Sequence, residues 1–395
     1  MTSTEPKSVN RWLNRTVFGI GLTSLFSDLC HETATAVLPA FLAALGASAG
    51  ALGAIEGVAD AVSSFAKMGS GWWSDRLAKR KPIAVAGYAL TTVSVGLFAL
   101  ATNAWHIGLA RTAGWLGRGT RGPVKKALLA GAVGREHYGK AFGFERAMDE
   151  TGGLLGAIAA AFLVAHISMR SIFLWTLVPG TLATLVIAFV VKEKQRTAVK
   201  HLPLAHSLRE LPEAFRKFLG GVALFGAGDF SKTMLILLAT QQLTPTLGAT
   251  KAAATALSLY VLHKIFYMGC SYPVGHLGDK FNKRKLLAGG YALAAVMGLL
   301  LMLAPLTLPV LAAAFELAGI YVATQDALED ALAAELVDEA HHGVGFGTLA
   351  TVNGLGDFIS SAVVGVLWMM FSPAVAFGYA TILFVAGAVV VWRLR

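Results

Sequence analysis

The chain has 395 residues, 55% of them hydrophobic and only 14% charged, with a mean hydropathy of +0.63. A soluble chain of this size carries roughly 25% charged residues, so no separate soluble domain fits and most of the surface faces lipid. The net charge of +10 does not point to nucleic acid, because the basic residues concentrate in alternate loops between apolar runs.

Crossing the hydrocarbon takes about 20 mostly apolar residues per helix. Such stretches predict an all-α membrane protein of about twelve transmembrane helices, near 15–44, 50–73, 83–102, 105–131, 139–166, 171–192, 216–241, 251–274, 286–304, 308–335, 343–370 and 373–393. The leading MTSTEPKSVNRWLNR is polar and basic and reads as a retained tail, not a cleaved leader. Lys7, Arg11 and Arg15, the loop with Arg76, Lys79, Arg80 and Lys81, the stretch 193–215, the loop with Lys280, Lys283, Arg284 and Lys285, and Arg393 with Arg395 all fall on one side. The opposite loops carry almost no basic residue, Arg170 and Lys251 excepted. That asymmetry predicts both termini and the central loop to be cytoplasmic, in the inner membrane of a bacterium. Cys30 and Cys270 lie inside apolar runs without CxxC spacing, so neither a disulfide framework nor a metal site is indicated. No cofactor is expected.

The sequence repeats itself. GWWSDRLAKRK at 71–81 returns as GHLGDKFNKRK at 275–285, and the same offset of 204 aligns 125–144 with 329–348 without a gap. Two six-helix halves follow, 1–200 and 201–395, joined by a basic linker at about 193–215. Parallel repeats of this kind place a central site between the halves.

The loop pattern G-x-x-x-D-[R/K]-x-x-x-[R/K]-[R/K] occurs as Gly71, Asp75, Arg76, Arg80 and Lys81, and again as Gly275, Asp279, Lys280, Arg284 and Lys285. It resembles the signature of the major facilitator superfamily, and the chain is similar to bacterial drug/solute–proton antiporters. The resemblance implies a secondary transporter working by alternating access as a monomer on a small-molecule substrate, with export as its direction. Ala78 and Asn282 depart from the family, which usually has glycine there. Each loop aspartate can face a neighbouring helix N-terminus and its dipole, and the arginines can pair with carboxylates on adjacent helix ends. Such a cluster would latch the cytoplasmic side shut. Lys125 and Lys126 end helix four where an acidic partner is expected, whereas the second half has Glu329 and Asp330 there, so the relay should be complete only in the second half.

Ionisable groups inside membrane helices are functional candidates by default. Helix one carries Asp28, His31 and Glu32 at i, i+3 and i+4 on one face, and the matching helix of the second half carries Asp229 and Lys232. A carboxylate beside a histidine can exchange a proton near neutral pH, which a proton-coupled carrier needs; the same residues also read as a packed hydrogen-bonding cluster. Helix four has Arg111, Arg118, Arg121 and Lys125, and helix five answers with Glu145, Arg146, Asp149 and Glu150. Arg111 resembles the buried arginine that the superfamily places in this helix. These charges read as ion pairs between helices four and five or as a substrate or proton site; Arg118 and Arg121 suit a carboxylate or phosphate. Helix ten adds Gln325 and Asp326, and helix eleven adds Asp357 and Asn353, the repeat equivalent of Asp149. Glu56 and Asp60 in helix two stay ambiguous.

No GxxxxGK[ST] phosphate loop, GxSxG or HExxH occurs, so ATP-driven transport and enzymatic function are disfavoured. The sequence therefore reads as a secondary active transporter, proton-coupled and exporting a small organic solute. Alternatives are an importer or exchanger of organic anions using the helix-four arginines, and metal or metalloid efflux through Asp28, Cys30, His31, His263 and Cys270. A membrane receptor or scaffold is the non-transport reading.

Overall fold

A computed structural model describes residues 12–46, 49–194 and 203–394. Lys7, Arg11, the middle of the linker, Arg395 and the side chain of Glu56 lie outside the described residues.

Among the described residues there are fourteen α-helices and no strand. The first half comprises α1 (Arg15–Ala44), α2 (Ala49–Asp75), α3 (Lys81–Leu97), α4 (Ala104–Ala130), α5 (Tyr138–Val164) and α6 (Met169–Leu185). After the short α7 (Leu204–Arg209) come α8 (Glu213–Gly226), α9 (Lys232–Leu247), α10 (Ala249–Lys280), α11 (Lys283–Leu303), α12 (Leu308–Leu336), α13 (His342–Met370) and α14 (Pro373–Trp392). Seven helical stretches are long and apolar enough to cross a membrane by length and composition, including those over 81–100, 169–190 and 373–392. The arginine-bearing α4 is not among them.

Side-chain caps fix many of the helix starts. Asn14 accepts hydrogen bonds from Thr16 N and Val17 N at the start of α1, and Asn282 accepts from Arg284 N and Lys285 N at the start of α11. Asn103, Ser168 and Ser372 cap α4, α6 and α14 in the same way.

One expected helix is two. The apolar run 216–241 breaks at 227–231 between α8 and α9, because Gly228 interrupts the helix and Ser231 starts a new one as its N-cap. The carbonyls freed by the break find donors: Tyr379 Oη donates to Ala227 O at 3.1 Å and Ser360 Oγ donates to Asp229 O at 2.8 Å. Irregular backbone at membrane depth needs such partners. The repeat equivalent, α1, runs unbroken for 30 residues.

Within the first half α1 packs on α5 and α4 lies between α2 and α3; across the halves α5 meets α10 and α2 meets α13. Phe41, Phe98 and Phe173 fill one core with edge-on contacts, and Phe225 stacks on Tyr291 at 3.8 Å in the other. The inter-half seams depend on glycine. A Cβ on Gly71 would run into Gly343 O, and one on Gly139 into Gly275 O. Gly71 and Gly275 are repeat equivalents, as are Gly139 and Gly343, so the two contacts are related by the approximate two-fold axis of the repeat. Both lie at the end that carries the basic loops.

Candidate functional site: the charged interface between the halves

At the basic end each half caps a helix of the other. The Asp75 carboxylate, at the end of α2, accepts from Gly343 N at 2.9 Å and Val344 N at 2.8 Å, the first turn of α13. Asp279, at the end of α10, accepts from Gly139 N at 2.7 Å and Lys140 N at 2.8 Å, the first turn of α5. A carboxylate on unpaired amides at a positive helix end is favourable twice, by hydrogen bonding and by dipole. Arg80 is buried, pairs with Asp75 and donates to Glu339 O at 3.1 Å. Lys283 stands 3.6 Å from Asp279 and 3.3 Å from Glu335. The remaining loop cations turn elsewhere: Arg76 over Trp72, Lys81 to Val191 O, Arg284 to Leu394 O and Lys285 over Trp392. Lys280 is exposed.

Behind these caps Lys126 Nζ meets Asp330 Oδ1 at 2.7 Å, a pair separated in sequence by 204 residues. The acidic partner missing from the end of α4 is thus supplied by the other half. Glu329 is buried and accepts from Tyr291 Oη at 2.5 Å and Asn353 Nδ2 at 2.8 Å.

Two chambers follow along the seam between α2 and α13. The deep one, about 240 Å³, reaches Lys125 and Lys126 on α4 and Asn353 on α13. The wide one, about 730 Å³, runs from Asp60 on α2 to Ser231 and Lys232 at the helix break. Lys67, Gly354 and Asp357 line both.

The interior charges are largely paired, with partners that cross between helices. Asp28 faces Arg118 Nη2 at 3.3 Å, while His31 lies edge-on to Trp115 at 5.3 Å between ring centres. Glu32, on the same face of α1, is half-buried. Arg111 donates to Thr35 Oγ1 at 3.2 Å beside Trp115, away from the deep chamber. Glu145 binds Lys125 at 2.5 Å and accepts from Ser24 Oγ at 2.6 Å. Arg146 pairs with Asp149 at 3.1 Å and across the halves with Asp326 at 3.5 Å, where Asp326 also accepts from Tyr267 Oη. Glu150 meets Lys264 at 2.7 Å, again across the halves. Asp229 and Lys232 bond each other at 2.9 Å and share Tyr321 Oη. Arg121 lies over the Tyr88 ring at 3.9 Å. No three His, Cys, Asp or Glu side chains gather to hold a metal ion among the described residues.

Lys67, Tyr88, Lys264 and Tyr267 are among the residues of this interface that escaped the sequence reading. Lys67 and Lys264 are lone cations inside apolar runs, a signal by the same rule that flagged Asp28. The tyrosines carry no such signal.

Two repeated helical bundles, closed against each other at one end over charge-lined chambers, define a membrane solute carrier. The chain belongs to the Major Facilitator Superfamily, whose model matches residues 20–228 and again 218–395; its class is that of secondary transporters, not enzymes. An uncharacterized MFS-type transporter of Methanocaldococcus jannaschii is 26% identical over 378 residues, 95% of this chain and 93% of its own. A bacterial homologue of the iron transporter ferroportin, in an outward-facing state, superposes with a TM-score of 0.79 at 14% identity, covering 96% of this chain and 99% of that one. The E. coli fucose:proton symporter gives 0.76 at 12% identity, over 96% and 98%. At these identities the structural likeness is one of fold.

Proposed function

We propose that this chain is a proton-coupled carrier that exports a small solute by alternating access, as a monomer with twelve spans and both termini in the cytoplasm of a bacterial cell. The observation that carries this reading is the pair of reciprocal caps, Asp75 on α13 and Asp279 on α5, which hold one end of the seam shut over the chambers. A seam held by a few caps and glycine contacts can open as a unit, because each contact is remade or lost together with its two-fold mate. The positive-inside distribution supports assigning that end to the cytoplasm, and the likeness to drug/solute–proton antiporters supports export. Asp28 supports the proton-coupling part: it is buried against one arginine at 3.3 Å, so exchange of that partner for a proton would link protonation to the chamber.

The test is flux in proteoliposomes under an imposed pH gradient, with Asp28→Asn and Glu32→Gln made separately. At least one variant is expected to lose gradient-driven flux while keeping passive exchange. Wild-type dependence on the gradient in both would remove helix one from the coupling; indifference of the wild type itself would remove the protons.

A further inference from the structure

Several buried donors converge on the deep chamber with nothing to receive them. Arg118 reaches Asp28 with one terminal nitrogen, but its Nη1 is buried and has no partner. Arg121 is 6% exposed and forms no ion pair among the described residues; although its guanidinium lies on the Tyr88 ring, its Nε is unpartnered. Tyr88 Oη is buried without a partner as well, whereas Arg146 Nε faces Asp326 Oδ2 at 3.5 Å across the halves. Arg118, Arg121 and Tyr88 all line this one chamber. Buried polar groups are normally satisfied; here three unmet donors stand against one unmet acceptor, Asn353 Oδ1, and that balance describes the complement of a ligand rich in acceptors.

Charge points the same way. Arg118, Arg146, Lys125 and Lys126 are each answered by a carboxylate. Lys67 and Arg121 are in no ion pair among the described residues, and both line the chamber. The lining acid likewise without an ion pair is Asp357, which also borders the wide chamber. The deep chamber therefore keeps two unanswered cations against one such acid. Planar guanidinium groups match the oxygens of carboxylate, sulfonate or phosphate. Above it, the wide chamber offers the rings of Trp115 and Phe358, the latter 74% exposed.

We propose that the carried solute is an organic oxyanion, its acidic group seated against Arg118, Arg121, Tyr88 and Lys67 and its apolar body beside Trp115 and Phe358. The proposal rests on the carrier reading and names its substrate class. Four of these side chains come from three helices, α2, α3 and α4, so the head-group site belongs to the first half and travels with it.

The test uses the purified full chain and five probes sharing one ring: benzoate, benzenesulfonate and phenyl phosphate, with neutral benzamide and cationic benzylamine, at constant ionic strength. At least one oxyanion should raise the melting temperature by a few degrees at saturation, and benzamide and benzylamine should not; which oxyanion acts distinguishes the three head groups. Arg121→Gln and Lys67→Gln should each weaken that binding about 10- to 100-fold, as expected for a lost charged hydrogen bond, and Arg121→Lys should retain part of it. Lys217→Gln, in the exposed pair with Glu213, controls for charge alone. Absence of any oxyanion effect, equal effects of the neutral probe, or unchanged binding in both glutamine variants overturns the proposal. Should the glutamine variants not fold, the same judgement falls on Arg121→Lys, where undiminished affinity counts against it. Binding is read without flux. Oxyanion binding with no solute movement in vesicles overturns the carrier reading alone, and movement without oxyanion binding overturns the site alone.

Discussion

The two copies of the loop make the same cap with different surroundings. Asp75 and Asp279 accept from equivalent amides of the opposite half at nearly equal distances. Arg80 then pairs with Asp75 and continues to Glu339 O in the other half, so its contacts span the seam. In the second copy the equivalent Arg284 turns away to Leu394 O, and Lys283 links Asp279 to Glu335 inside its own half. A repeated motif thus preserves the backbone contact while the cations diverge. In the first half the cation itself reaches across the seam, and in the second it does not.

The largest way to break the symmetry of these caps is steric. Gly343→Val would push a side chain into Gly71 O, Ser74 Oγ and the Asp75 carboxylate, where backbone cannot yield cheaply. A cost of about 3 kcal/mol would shift the closed-to-open ratio by roughly a hundredfold. Distances between spin labels on the two halves would then move to the open population, while Gly289→Val, at a position with nothing within 4 Å, leaves them unchanged. Unaltered distances in Gly343→Val would show that this seam does not hold the closed state.

Next in size is the contrast between the acids. Asp75→Asn leaves the buried Arg80 without its carboxylate, at about 2 kcal/mol, whereas Asp279→Asn leaves Lys283 still paired with Glu335, at about 1 kcal/mol. The same labels should show Asp75→Asn opening the basic end more than Asp279→Asn; equal or inverted effects would mean that Arg80 adds nothing across the seam. Smallest is Lys126 with Asp330. Lys126→Ala should weaken closure by about 1 kcal/mol, and the exchange Lys126→Asp with Asp330→Lys should recover most of it. A double exchange no better than the single variants would locate the effect in each half separately.

Much of the framework was legible in the sequence because its signals are local. Asn14 and the apolar run behind it place α1, and the paired GWWSDRLAKRK and GHLGDKFNKRK loops place the seam. The α8–α9 break was not legible, since Gly228 and Ser231 sit in a run whose average hydropathy still reads as one helix. Pairings were the least legible part. Asp28 was read with His31, three residues away, but it meets Arg118 of α4. Glu150 and Arg146 were read against α4, yet they reach Lys264 and Asp326 in the second half. A window along the chain shows which residues are costly to bury; only the packing of helices more than a hundred residues apart shows what answers them.

The pair Lys126 and Asp330 has one more consequence. Two residues at equivalent positions of a duplicated chain can touch only on the axis relating the copies, so this contact marks that axis. On such an axis a residue meets its own image. Were the two positions identical, that encounter would set lysine against lysine or acid against acid, and like charges at a partly buried contact resist closure. A pair of opposite sign at this point is available to a fused, diverged chain and denied to a symmetric dimer of identical halves. The opposite signs at 126 and 330 therefore let this contact favour closure, where strict likeness of the two halves would oppose it.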